Sequence, residues 1–232
     1  MKIIAFPFAG GDKHAFNFLK KGLTERSITL TVLECKGRGS RIKEQFSETI
    51  EEIVDDFVPK VLEIIKDQED YIIYGHSMGA LVGYLISMRL EDMNVRQPLK
   101  LIVSGRRAPS ITTPNKVSTL KNDVFWKEII ELGGVPERLL QQTDLLNFFE
   151  PIIRADFKVV ENYIHNPIKQ LSLPIEVLYG SGEIEPESYF LAWKKEGEKK
   201  TKFEKLEGNH FFIYDHHDKL MTYFEEARDN HK

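Results

Sequence analysis

The sequence predicts an α/β fold, a mostly parallel twisted sheet flanked by helices, with a small helical insertion. Three observations lead there. Short runs of apolar and β-branched residues read as strands at about residues 3–6, 28–34, 71–74, 99–105, 174–180 and 202–206. Stretches with apolar residues at helical spacing lie between most of them, the pattern of repeated βα units. One strand, Tyr71-Ile72-Ile73-Tyr74, runs directly into Gly75-His76-Ser77-Met78-Gly79, and Leu81, Val82, Leu85 and Ile86 follow at helical spacing. At 232 residues the chain is expected to form one domain, residues 1–232, with residues 110–167 inserted in it as a helical lid.

Each element has its own signal. Ile3 to Phe6 is a short apolar strand broken by Pro7-Phe8-Ala9-Gly10-Gly11. Asp12 is expected to cap a helix reaching about Thr24. Ile28 to Glu34 alternates as a strand does. Lys36-Gly37-Arg38-Gly39-Ser40-Arg41 is a basic glycine-rich turn without a Walker pattern, and phosphate binding is one reading of it. Ser47 or Thr49 starts the next helix, whose apolar stripe runs from Ile50 through Ile65. The helix after Ser77 reaches about Leu90. Leu99 to Gly105 is a buried strand ending in Arg106-Arg107-Ala108-Pro109, and the two arginines either line an entrance or are simply solvated. From Ser110 to about Pro167 strand alternation gives way to helix signals, at Val124 to Leu132, from Pro136, and at Asp144 to Tyr163. This segment carries more apolar and aromatic residues, Leu139 and Leu140 among them, than it needs to cover itself. A helix from Pro186 to Lys195 and another from His217 to Arg228 flank the last strand.

Bulk properties narrow the class. Hydrophobic residues make up 41% of the chain and the formal net charge is -4, which points away from nucleic acid and from a polybasic membrane surface. No stretch approaches the roughly 20 apolar residues of a membrane span. Cys35 is the only cysteine, so neither an intramolecular disulfide nor a multi-cysteine metal site is expected. It reads as a small buried residue. A cytoplasmic protein without a cleaved leader is the expectation.

The junction at Ser77 fits G-x-S-x-G in its required strand–turn–helix context. A serine nucleophile needs a base within hydrogen-bond reach and an acid to orient that base, in the chain order Ser, acid, His. Among the histidines, His14 precedes the junction and His76 faces elsewhere. His165 sits at the edge of the insertion, and His216, His217 and His231 lie in or beyond the last helix. His210 alone follows a strand directly in a loop, after Gly208. The acid is Glu183, three residues after the strand-ending Gly180, or Glu185. Backbone N–H groups of Ala9 and Met78 are the candidate oxyanion donors.

Taken together, these residues resemble the type II thioesterases that accompany non-ribosomal peptide and polyketide synthetases. The resemblance rests on Phe6-Pro7-Phe8-Ala9-Gly10-Gly11, Gly37-Arg38-Gly39-Ser40-Arg41, Gly75-His76-Ser77-Met78-Gly79-Ala80 and Ser104-Gly105-Arg106-Arg107-Ala108-Pro109. Glu131-Leu132-Gly133-Gly134-Val135-Pro136, Arg154-Ala155-Asp156-Phe157 and Gly208-Asn209-His210-Phe211-Phe212 continue it in order. It implies an α/β-hydrolase core with a helical lid, and hydrolysis of acyl groups from the phosphopantetheine thiol of carrier proteins. It also implies Ser77 as nucleophile, His210 as base, and no metal or cofactor beyond the arm the substrate carries. Acyl- or peptidyl-carrier domains are the implied partners of a monomer. Two departures stand out. The family usually has aspartate where Glu183 stands, and Leu-Pro where Cys35-Lys36 precede the Gly-Arg-Gly turn. A carboxylesterase, an acyl-CoA thioesterase and a non-catalytic carrier-binding module are the alternative readings.

Overall fold

The computed structural model describes residues 1–112, 116–135, 141–166 and 169–229. Strands β1 (Lys2–Phe6), β2 (Thr29–Val32), β3 (Tyr71–His76), β4 (Leu101–Ser104), β5 (Ile175–Gly180) and β6 (Lys202–Leu206) form one sheet in the order β2-β1-β3-β4-β5-β6. Every pairing is parallel. Parallel strands need crossovers, and the crossovers cover both faces of the sheet. That is why β1 and β3 read as unbroken apolar runs. Ile4, Phe6 and Ile73 enter the core beneath helices α2 (Ile50–Ile64) and α3 (Met78–Asp92). Ile3, Ala5, Ile72 and Tyr74 enter the opposite core, beneath α1 (Asn17–Glu25) and a C-terminal helix, His217–Asp229.

Local chemistry sets the boundaries. Thr49 caps α2, its hydroxyl accepting the Glu52 N–H at 3.2 Å, so Thr49 and not Ser47 starts that helix. Asp12 does not cap α1. Its carboxylate accepts the N–H of His14 at 2.8 Å, which closes a turn, and the helix begins only at Asn17. The edge strand β2 is shorter than its alternation suggests, because the chain leaves the sheet at Leu33 and Glu34 turns to accept N–H groups of Lys13 and Ser40.

Between β4 and β5 the chain runs through α4 (Asn122–Glu131) and α5 (Thr143–Glu161). Phe125, Ile129 and Ile153 form a small core of their own there. The helix expected from Pro136, with Leu139 and Leu140, lies outside the described residues, as do Pro167 and His231. After β5 come a short helix α6 (Glu187–Leu191) and a 3-10 turn, then β6 and the C-terminal helix, α7 (His217–Asp229).

The strand order reverses between β1 and β3: the chain first moves outward to β2, then returns to the other side of β1. Such a switch point opens a crevice at the carboxyl ends of the strands. Phe6 pairs with Gly75 at that end, so the loop after β1 and the turn after β3 are neighbours.

Candidate active site

Ser77 sits in the turn between β3 and α3 with φ 55° and ψ -117°, a conformation that L residues avoid. Holding it there costs about 1–3 kcal/mol, which the packing around the turn supplies. The turn closes only because its flanks lack side chains. A Cβ on Gly79 would lie 1.8 Å from the Phe6 carbonyl oxygen, and one on Gly75 would lie 2.1 Å from that of Gly79. The helix start is thereby pressed onto the end of β1.

The structure brings Ser77, His210 and Glu183 together. Glu183, in the loop after β5, accepts the His210 Nδ1–H at 3.0 Å. With that proton on Nδ1, Nε2 is bare and accepts the Ser77 hydroxyl at 2.9 Å. Between Glu183 and Glu185 the geometry separates clearly. Glu185 is engaged by the Arg107 guanidinium instead. His76 is fully buried and faces away from Ser77, its Nδ1 2.9 Å from Ser104 Oγ and its ring 5.1 Å from that of His210. Burial, and secondarily the neighbouring His210, hold the His76 pKa well below the ordinary histidine value.

Of the candidate oxyanion donors, Met78 follows Ser77 directly in the chain and Ala9 lies in the loop after β1. The Met78 N–H is the first of α3 and has no acceptor within the helix. The Ala9 N–H has no partner among the described residues, and Ala9 lines a cavity together with Ser77 and His210. The next N–H, of Gly10, is held at 2.7 Å by Asp156 on α5. Asp156 also takes two hydrogen bonds from Arg38, at 2.5 and 2.6 Å, in a buried bidentate pair. Three distant segments therefore meet at one carboxylate. From the sequence, Arg38 is only part of a basic turn with a phosphate-binding reading, and Asp156 has no task. The signal was present in α5, where Asp156 stands among Ile152, Ile153 and Val159 on the buried face.

That pairing also settles the basic turn. Arg38 is spent on Asp156, and Arg41 on Glu44 and Asp56 at 2.6 Å each, so the guanidinium groups of the turn serve internal carboxylates and do not form a phosphate cradle. Cys35 beside it is buried, which pushes its thiol up to about 12 and leaves it unreactive. Among the described residues no group of three or more His, Cys, Asp or Glu could hold a metal ion, and no helix is long and apolar enough to cross a membrane.

Two cavities meet at Ser77 and His210. One, of about 670 Å³, is walled by Phe8, Ile129, Phe149, Ile153, Phe157 and Phe211. The other, of about 370 Å³, carries charged groups, Arg106 and Arg107 with Glu128 and Glu161, among apolar ones, Val117, Leu132, Phe157 and Val160. Both are roofed by residues of the insertion.

A nucleophile-bearing strand–turn–helix, followed in the chain by an acid and a histidine hydrogen-bonded to it, defines the serine-hydrolase class on an α/β-hydrolase sheet. Within that class the chain belongs to the thioesterase domain family, which matches residues 1–227. It is 30% identical over 216 residues to the thioesterase PikA5 of Streptomyces venezuelae, covering 93% of this chain and 76% of that one. It is 32% identical to the probable anguibactin biosynthesis thioesterase AngT of Vibrio anguillarum, covering 89% of this chain and 83% of that one. Among solved structures, the RedJ thioesterase from the prodiginine pathway of Streptomyces coelicolor superposes with a TM-score of 0.90 at 27% identity, over 98% of this chain and 90% of that one. ClbQ from the colibactin pathway gives 0.86 at 27% identity, over 99% and 97%.

Proposed function

We propose that this protein is an editing thioesterase that hydrolyses acyl groups from the phosphopantetheine thiol of carrier proteins in a non-ribosomal peptide or polyketide system. The observation that carries this is the hydrogen-bonded chain Ser77–His210–Glu183 placed where an apolar cavity meets a second one that carries charged side chains. A thioester has the same two sides, an acyl chain and a polar thiol arm. Among the relatives named above, ClbQ comes from a non-ribosomal peptide and polyketide synthetase pathway, AngT and RedJ from the anguibactin and prodiginine biosynthetic pathways, and the family is a thioesterase domain family.

In the proposed reaction Ser77 Oγ attacks the thioester carbonyl while His210 Nε2 takes its proton. Glu183 holds the imidazole in the tautomer that permits this and stabilises the imidazolium that results. The N–H groups of Ala9 and Met78 receive the developing oxyanion, a contribution of about 10²–10³-fold per donor in comparable sites. His210 then protonates the departing thiolate, leaving acyl-Ser77. Water, deprotonated by the same histidine, releases the acid and restores the serine. No cofactor takes part. The insertion acts as a lid over both cavities, the carrier domain docks as partner to a monomer, and neither nucleic acid nor membrane is involved.

Mass spectrometry of acyl-loaded carrier protein tests the reading. The wild-type chain is expected to strip acetyl and longer acyl groups to the free thiol, and Ser77→Ala to strip none. A strong preference for p-nitrophenyl esters or acyl-CoA over acyl-carrier protein would overturn the editing role.

A further inference from the structure

Arg106 stands out in the smaller cavity because its side chain has no hydrogen-bond or ion-pair partner among the described residues, and its Nε is buried. Of the carboxylates that line this cavity, Glu128 makes no bond to Arg106, and three others are committed elsewhere. Glu183 holds His210, Glu185 holds Arg107, and Glu161 accepts the N–H and hydroxyl of Ser118. The Arg106 backbone is pinned, its carbonyl accepting the Trp193 indole N–H at 2.8 Å. Burial and the adjacent Arg107 both disfavour its charge. Arg106 is half-buried, and only its Nε is among the buried unpartnered atoms, so its terminal nitrogens can donate to an acceptor that enters the cavity.

The surroundings say which acceptor. The preceding residue, Gly105, packs against the base: a Cβ there would lie 3.3 Å from His210 Cε1. Arg106 therefore lines the same cavity as Ser77, Glu183 and His210, whereas Ala9 lines the apolar one. On the thioesterase reading, the side that carries charged groups is the one that suits the leaving thiol and its amides. In a cysteamine-derived thiol the first amide stands two methylenes from the sulfur, the nearest strong acceptor to the reacting bond. The charged lining consists of Arg106 and Arg107 against Glu128, Glu161, Glu183 and Glu185, an excess of carboxylates that favours a neutral carbonyl over a phosphate dianion.

We propose that Arg106 donates hydrogen bonds to the first amide carbonyl of the leaving thiol, and so makes the site selective for cysteamine-type thioesters over plain alkyl thioesters. The inference rests on the thioesterase reading above. The test holds one acyl group, hexanoyl, constant and lengthens the thiol from propanethiol through N-acetylcysteamine and pantetheine to phosphopantetheine. Arg106→Gln is expected to act like wild type on the propyl thioester, within about twofold. From N-acetylcysteamine onward it is expected to lose about 10–100-fold in kcat/KM, chiefly through KM, the worth of a hydrogen bond to a charged donor. Arg106→Lys, which keeps the charge without the fork, is expected to lose less and guards against a folding defect in the glutamine variant. An equal loss across the whole series would make Arg106 a structural residue and overturn the proposal. A loss first appearing at phosphopantetheine would place the phosphate at Arg106 and overturn it as well. Failure of the wild type on every thioester would instead remove the thioesterase reading itself.

Discussion

Exchanging Glu183 for glutamine keeps its shape and removes its charge. The carboxamide no longer favours Nδ1–H over the other tautomer and does not stabilise an imidazolium. Glu183→Gln is therefore expected to lower kcat about 10³–10⁴-fold. Glu185→Gln, which loses only its bond to Arg107, is expected to stay within about tenfold. Steady-state kinetics on one thioester compares the two, and a larger loss at Glu185 would reverse the assignment of the acid. His76 carries a second expectation at this scale. In the unfolded chain it takes a proton as pH falls below the ordinary value of 6.5, whereas in the folded core it stays neutral. The unfolded state then binds more protons, so stability falls with pH below about 6.5, by up to about 1.4 kcal/mol per unit, until the depressed folded-state pKa is reached. Urea denaturation at pH 7, 6 and 5 is expected to show this slope in the wild type and a weaker one in His76→Gln. An identical slope in both would remove His76 as its source.

At the scale of elements, the loop after β1 is held from above by α5 and from the side by the turn after β2. The Arg38–Asp156 pair does the holding, and breaking one partner leaves the other charge buried alone. Asp156→Asn or Arg38→Met is expected to destabilise the fold by about 3–5 kcal/mol, read as a drop in the urea midpoint. A change below about 1 kcal/mol in both would mean the pair is solvated in solution. This clamp also marks where the sequence stops being readable. Strands and helices are legible because alternation and helical spacing are local, and Thr49 before α2 is a local cap. Ser77, His210 and Glu183 stand out because each occupies a loop directly after a strand in a fixed order. Asp12 misleads because the same carboxylate serves a turn or a cap equally well, and here it closes the turn onto the His14 N–H. Asp156 is opaque for a different reason. Its partners, Arg38 and Gly10, are 118 and 146 residues away, so nothing in its neighbourhood names them.

For the molecule as a whole, sheet and insertion together line a half-open apolar chamber of about 670 Å³, with the end of the sheet on one side and residues of α4 and α5 on the other. Acetyl would leave most of it unfilled. Each added methylene contributes about 0.8 kcal/mol when buried, so kcat/KM is expected to rise roughly fourfold per methylene from acetyl through the medium-chain acyl groups, then level off. A series of N-acetylcysteamine thioesters measures this, and a flat profile would mean that the acyl chain does not enter the chamber.

The bond from Gly10 N–H to Asp156 has a consequence in time. The loop that presents Ala9 leaves the ribosome early, but the carboxylate that anchors it follows 146 residues later. At about 5–20 residues per second that is a delay of roughly 7–30 s. Throughout it, the first loop of the nascent chain lacks its clamp and Arg38 lacks its counterion. The loop that presents Ala9 is thus among the first segments made, yet it waits for α5 before its clamp can close, so a partly synthesised chain holds Ser77 well before it holds the residues that fix the loop beside it.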